Sequence, residues 1–320
     1  MKILANDGIS PLGEKLLREA GYTVITEKVP QNELIDYINT NGVSMLIVRS
    51  ATTARQDLID ACPGLQLIGR GGVGMDNIDV AYARENGKIV INTPGASSQS
   101  VAELVMGHLF SLSRNLHDSF KHMENGDFSL LKKKYAKGVE LRGKTLGIIG
   151  FGRIGQSLAT YALGVGMEVI AVSKNTEPVE ISVPIGKMNR CSVTIQPTKD
   201  LHAVLGAMDY ISLHVPKQPD GSAVISTSEF EKMKPGVRIV NAARGGVIDE
   251  SALLSALEKG EVACVGLDVY ENEPQPRVAL LQHENIACTP HIGAATLEAQ
   301  DRIGEELASQ IIEHFGRHNS

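Results

Sequence analysis

Lys144-Thr-Leu-Gly-Ile-Ile-Gly-Phe-Gly-Arg-Ile-Gly155 passes from an apolar strand into a glycine-rich turn, and an amphipathic segment, residues 154–162, follows at once. Strand, GxGxxG turn and helix in that order form a dinucleotide fingerprint. Its glycines allow a tight turn, close approach of the backbone to a pyrophosphate, and close packing of helix on strand. The helix start adds free N–H groups and partial positive charge for the diphosphate. A GxGxxG string alone is a weak signal; the elements on either side make a ligand-free turn the poorer explanation. Gly150, Gly152 and Gly155 are therefore the first candidate cofactor residues.

Outward from this turn, short apolar runs alternate with amphipathic segments. Upstream, strands are expected at residues 2–5, 22–25, 45–48 and 65–68, with helices at 11–20, 31–39 and 54–61. Downstream, strands are expected at 168–173, 210–215, 238–241, 264–269 and 285–288. Such alternation implies the α/β class, with parallel sheets covered on both faces. In 100–117, Val101, Leu104, Val105, His108, Leu109 and Leu112 recur at helical spacing, long enough to bridge two domains. Residues 123–138, which include Lys132, Lys133, Lys134 and Lys137, read as a solvated loop, and 176–198 as irregular. A helix over residues 297–315 must pack back on the first domain to bury its apolar face.

The 320 residues suffice for two domains, and a net charge of −6 argues against a nucleic-acid-binding surface. Cys62, Cys191, Cys264 and Cys288 are scattered without CxxC spacing, so reduced thiols are expected rather than a disulfide framework or a metal site. No run approaches the roughly 18 apolar residues of a membrane span. The expectation is a soluble, cytoplasmic protein.

Three further stretches carry chemistry: Asn241-Ala-Ala-Arg-Gly-Gly-Val-Ile-Asp249, Tyr270-Glu-Asn-Glu-Pro274 and Cys288-Thr-Pro-His-Ile-Gly-Ala-Ala-Thr296. Arg244 follows a strand, and a guanidinium grips a carboxylate through two parallel hydrogen bonds. His291 lies in a turn before a helix. Glu273 precedes proline and so favours an extended backbone; beside His291, its carboxylate would stabilise the imidazolium and ready the ring for acid–base work. Singly, each has a bland explanation: an ion pair, a loop acid, a buried histidine. Together with the fingerprint they point to hydride transfer on a carboxylate substrate. The strand at Ala171-Val-Ser173-Lys-Asn lacks the acid that NAD-specific sites place at its tip. Glu177 is within sequence reach, whereas Ser173 and Lys174 suit the 2′-phosphate of NADP. NAD is the first choice and NADP the alternative.

In these stretches, and in Val48-Arg-Ser-Ala-Thr52, Gly69-Arg-Gly-Gly-Val-Gly-Met-Asp-Asn-Ile-Asp79, Asn92-Thr-Pro-Gly95 and Ser100-Val-Ala-Glu-Leu104, the chain resembles the D-isomer-specific 2-hydroxyacid dehydrogenases. Within that family it is most similar to the short-form enzymes that oxidise D-3-phosphoglycerate. The resemblance implies two Rossmann-like, doubly wound domains flanking a cleft. Residues 1–98 plus 293–320 would bind substrate, and 99–292 would bind NAD(P). It makes Arg244 the substrate anchor, His291 the acid/base and Glu273 its partner. Arg153 and Ile154 fall in the pyrophosphate turn; Ala242, Asp268, Gly293 and Ala294 fall around the nicotinamide. Arg49, Ser50, Arg70, Gly72, Val73 and Gly74 fall at the substrate, Arg49 and Arg70 as phosphate ligands. Ser173, Val215 and Val73 depart from the pattern, each lacking the polar group common there. The implied substrate is a phosphorylated 2-hydroxy acid, the implied partner a second copy of the chain, and no membrane or nucleic acid is involved. The chain ends soon after the helix following His291, so no allosteric serine site is expected. Two other readings stay open: an NADP-linked hydroxypyruvate or glyoxylate reductase, and a nucleotide-sensing co-repressor with this fold.

Overall fold

The computed structural model describes residues 1–186 and 189–318. The chain forms two compact units, Met1–Ser98 with Ala294–Ser320, and Gln99–Gly293.

In the first unit, β1 (Lys2–Ala5), β2 (Thr23–Ile25), β3 (Met45–Val48), β4 (Leu67–Arg70) and β5 (Ile89–Asn92) form a parallel sheet in the order β2-β1-β3-β4-β5. Successive side chains point to opposite faces. Leu46 and Val48 therefore join Leu34, Ile38 and Leu58 in one core cluster, while Met45 and Ile47 join Leu17, Ile303, Leu307 and Ile311 in another. Burial on both faces explains why β3 is an unbroken apolar run. Each such side chain contributes about 1.5–3 kcal/mol on leaving water. The helix Leu297–Phe315 packs on this unit through the helix Pro11–Glu19, where Gly13 and Gly304 meet; a Cβ on Gly304 would lie 2.3 Å from Ser10 Oγ. The fifth strand was not expected. The fourth starts and ends two residues later than the apolar run suggests, because its ladder pairs Arg70 with Val48 and Asn92.

In the second unit, β6 (Thr145–Ile149), β7 (Glu168–Val172), β10 (Tyr210–Leu213), β11 (Val237–Asn241), β12 (Val262–Leu267) and β13 (Ile286–Cys288) form a parallel sheet ordered β13-β12-β11-β10-β6-β7. Between them in the chain lie β8 (Val179–Ile185) and β9 (Asn189–Ile195), an antiparallel pair. This corrects the reading of 176–198 as irregular. Val179, Ile181 and Val183 alternate with polar residues, and Ile181 and Ile195 bury in the core cluster that also holds Leu158 and Ala162 of the helix Arg153–Gly164. The bridging helix ends at Arg114, since Asn115 takes a left-handed φ of 51° before a second helix, Leu116–His122. The lysine-rich stretch is helical over Phe128–Lys134 rather than a loop. Asp127 caps it by accepting from the Leu130 amide (2.9 Å), and buried Asp118 ties it down through Lys134 (2.7 Å) and the Tyr135 hydroxyl (2.8 Å). Among the described residues, no helix is long and apolar enough to cross a membrane.

Candidate active site

The sheet order of the second unit reverses between β6 and β10, and ligands of open α/β sheets sit at the carboxyl ends of strands beside such a reversal. Gly150 leaves β6 there with φ 99°, and a Cβ on it would lie 2.4 Å from the His214 carbonyl oxygen. Only glycine suits that position. A Cβ on Gly152 would meet nothing within 4 Å, which leaves the backbone open to a ligand; one on Gly155 would lie 2.5 Å from the Gly150 carbonyl oxygen. Gly152 caps the twelve-residue helix Arg153–Gly164 without a side-chain hydrogen bond, so its first N–H groups face outward. These features fit a dinucleotide diphosphate. Arg153 is exposed beside them, while Ile154, Val215 and Ala242 are half-buried.

The ribose end is framed by β7. Ser173 donates its amide to the Thr198 carbonyl (2.9 Å), which brings the chain beyond β9 alongside the strand tip. Lys174 and Glu177 are both exposed just beyond.

Arg244, Glu273 and His291 follow β11, β12 and β13, three neighbours in the sheet. His291 Nδ1–H donates to Glu273 Oε2 at 2.7 Å, since a carboxylate only accepts. That contact leaves Nε2 as the ring atom able to exchange a proton with a substrate. Glu273 lies in a turn rather than the extended backbone expected before proline, because its other oxygen accepts from the Tyr270 amide (3.0 Å) and draws the loop back. Burial pushes the Glu273 carboxyl up, but the His291 and Tyr270 hydrogen bonds and the Arg244 charge outweigh it and hold the group below its ordinary range. The turn bearing Arg244 is braced by Asn241, whose Nδ2 donates to the Arg244 carbonyl (3.0 Å) and whose Oδ1 accepts from the Ala243 amide (3.1 Å). Gly245 has no room for a side chain: a Cβ would fall 1.7 Å from the Tyr270 carbonyl oxygen. That close approach brings the arginine turn onto the glutamate loop.

In the first unit, Arg49 directly follows β3 and Arg70 ends β4, so two guanidinium-bearing residues leave adjacent strand ends. Arg70 belongs to the strand ladder rather than to the glycine-rich turn, and its Nη1 donates to the Gly71 carbonyl (2.8 Å). Buried Gly72 lies against that guanidinium, Val73 is exposed, and the Val73 carbonyl accepts from Asn92 Nδ2 (2.7 Å). Gly74 is half-buried and Ser50 exposed. Asp7 organises the Arg49 loop by accepting from the Arg49 (2.7 Å) and Thr52 (3.0 Å) amides.

Asp268 is buried and accepts from the Ile292 (2.9 Å) and Gly293 (2.8 Å) amides. Ala294 accepts from Gln300 Nε2 through its carbonyl (2.6 Å). Three supporting residues escaped the sequence reading. Asn241, Tyr270 and Thr289 all sit inside quoted stretches; only the sheet register reveals what they hold. The Tyr270 hydroxyl lies 3.1 Å from the Leu267 carbonyl oxygen and 3.0 Å from that of Thr289, so its one proton is shared between the ends of β12 and β13.

Residues 106–293 match the family described as D-isomer specific 2-hydroxyacid dehydrogenase, NAD binding domain. The chain is 41% identical over 319 residues to the hydroxypyruvate reductase of Thermotoga maritima, with 98% of each protein covered. It is 39% identical over 313 residues to the D-3-phosphoglycerate dehydrogenase of Homo sapiens, covering 98% of this chain and 56% of that protein. The chain thus spans about half the length of the mammalian relatives it matches. Among solved structures, a glyoxylate reductase from Paecilomyes thermophila superposes with a TM-score of 0.82 at 28% identity, over 100% of this chain and 97% of that one. The chain belongs to the D-isomer specific 2-hydroxyacid dehydrogenase family, and its second unit carries that family's NAD-binding domain.

Proposed function

We propose that the chain is a nicotinamide-dependent D-2-hydroxyacid dehydrogenase that oxidises D-3-phosphoglycerate to 3-phosphohydroxypyruvate, the entry step of phosphorylated serine synthesis. The observation that carries the reading is the His291–Glu273 contact with the Arg244 charge beside it. Bound NAD supplies the hydride acceptor. Arg244 holds the substrate carboxylate, and neutral His291 takes the proton of the 2-hydroxyl at Nε2. Ionised Glu273 then faces the imidazolium and stabilises it; in reduction the same proton returns to the carbonyl oxygen.

Arg49 and Arg70 are the proposed phosphate ligands, on the strength of their adjacent strand ends. Arg49→Ala is expected to cost about 2–5 kcal/mol in kcat/KM for the phosphorylated substrate and leave glyoxylate turnover intact. Equal losses on both substrates would remove the phosphate assignment. The second reading, an NADPH-linked hydroxypyruvate or glyoxylate reductase, is favoured by Ser173 and Lys174 at the β7 tip and by the Thermotoga maritima relative. A panel of phosphorylated and plain 2-hydroxy and 2-oxo acids, run with both coenzymes, tests the proposal. A clear NADPH preference with no phosphoglycerate turnover favours the reductase; no turnover at all favours a nucleotide-sensing binding protein.

Glu273→Gln keeps a hydrogen-bond acceptor and removes the charge. The imidazolium loses its ionisable counter-ion, so the acid limb of reduction, set in the native chain by protonation of Glu273, is expected to disappear. An unchanged kcat/KM–pH profile in this variant would show that the carboxylate does not govern His291.

A second copy of the chain is the proposed partner. Phe120, Phe128 and Leu130 are 88%, 68% and 65% exposed on successive helices, an apolar face that association would cover. The proposed compartment is the cytoplasm, in keeping with four free cysteines.

A further inference from the structure

We propose that His108 is a positioning residue for the loop that carries His291, acting through Thr289 and Asp268; this rests on the dehydrogenase reading above. His108 is 5% exposed on the helix Ser98–Arg114. Its Nε2 lies 3.1 Å from Thr289 Oγ1, which lies 2.7 Å from Asp268 Oδ1. A carboxylate offers only acceptors, so the threonine hydroxyl donates to Asp268. The threonine oxygen is then left to accept, which places the ring proton of His108 on Nε2. Burial holds the His108 imidazole below its ordinary range, with Asp268 acting against that and His117 with it, so the ring is neutral at neutral pH.

The chain of donors ends on the catalytic loop. Asp268 Oδ1 accepts from the Ile292 amide and Oδ2 from the Gly293 amide, so one carboxylate holds both residues that follow His291. Ser100, from the same helix as His108, donates to the Gly293 carbonyl at 2.7 Å. His291 itself has φ 54°, a left-handed backbone that persists in a non-glycine residue only where the surroundings impose it. Here the imposing contacts are those to Asp268, whose orientation is set by Thr289 and, behind it, His108. Gly266 on β12 makes room for the ring, since a Cβ there would lie 2.8 Å from it. A histidine that only filled an apolar face would need neither the hydroxyl partner nor the vacated strand position.

The test uses the full chain with NADH and the preferred 2-oxo acid. Thr289→Val keeps the shape and removes the hydroxyl, Thr289→Ser keeps the hydroxyl, and His108→Gln and His108→Leu keep and remove the donor. Thr289→Val and His108→Leu are expected to lose about 10²-fold in kcat, the effect of a small misplacement of a catalytic group. Thr289→Ser and His108→Gln are expected to recover kcat. A second readout does not depend on turnover: the NMR signal of the His291 Nδ1 proton, which the 2.7 Å contact with Glu273 holds. That signal is expected to be lost to exchange with water in Thr289→Val, as the contact loosens, and to persist in Thr289→Ser. Wild-type kcat and a persisting signal in Thr289→Val overturn the relay. A wild-type enzyme inactive on every 2-oxo acid overturns the dehydrogenase reading instead, while the proton signal still decides the relay.

Discussion

Replacing His291 with Asn is expected to lower kcat about 10²–10⁴-fold in both directions, the usual contribution of a positioned acid–base group. Asparagine is the informative substitution. With φ at 54°, residue 291 sits where asparagine is tolerated and most side chains are not. The backbone is therefore kept, and only the exchangeable proton at Nε2 is lost. NADH binding, followed by fluorescence, should be unaffected, because the glycine turn after β6 and the helix behind it are untouched. A variant retaining most of its kcat would remove His291 from the chemistry and, with it, the proposed function.

Removal of the Arg244 guanidinium is expected to weigh almost as heavily. Arg244→Ala should cost about 2–5 kcal/mol in kcat/KM, and Arg244→Lys should recover only part, because an ammonium cannot make two parallel hydrogen bonds to a carboxylate. In both variants the turn keeps Asn241 and the close packing of Gly245 on the Tyr270 carbonyl, and loses the Arg244 Nη1 donation to the Ala243 carbonyl (2.6 Å). A further consequence follows from charge. Glu273 is held below its ordinary range partly by the Arg244 charge, so its carboxyl moves up in Arg244→Ala, whereas Arg244→Lys keeps a charge there. A group with a depressed pKa contributes above its unfolded value and loses that contribution as pH falls through the folded one. The acid limb of reduction, where ionised Glu273 must face the imidazolium, should therefore begin at higher pH in Arg244→Ala. Steady-state kinetics across pH with both variants checks both points; Arg244→Lys at wild-type kcat/KM would mean the arginine is no anchor.

Local patterns were readable where a side chain's fate depends on near neighbours. A short unbroken apolar run such as Met45–Val48 reads as a strand buried on both faces, and it is one. The glycine turn was readable because its three glycines have separate steric reasons, each visible as a contact or an open space at residues 150, 152 and 155. The misreadings share a cause. Phe128 and Leu130 stay exposed on their helix, so no buried stripe marks it, and its stability comes from Asp127 and from Asp118 ten residues before the helix begins. The pair β8 and β9 hides its period of two among small and charged residues. Arg70 reads as a turn residue until its pairing with Val48 and Asn92 shows it to be the end of a strand.

The sequence by itself determined that this is a doubly wound α/β protein with a dinucleotide turn, and it named the arginine, glutamate and histidine. It could not say that they meet. Glu273 and His291 are 18 residues apart, with a helix and a strand between them. Their contact exists because β11, β12 and β13 lie side by side, which delivers three loops to one edge of a sheet. Strand order is set by how whole helices and strands bury their faces together, and no local spacing records it. The same holds for His108, which along the chain is one polar residue on an apolar stripe. Its distances to Thr289, and through it to Asp268, appear only once that helix is packed on the sheet.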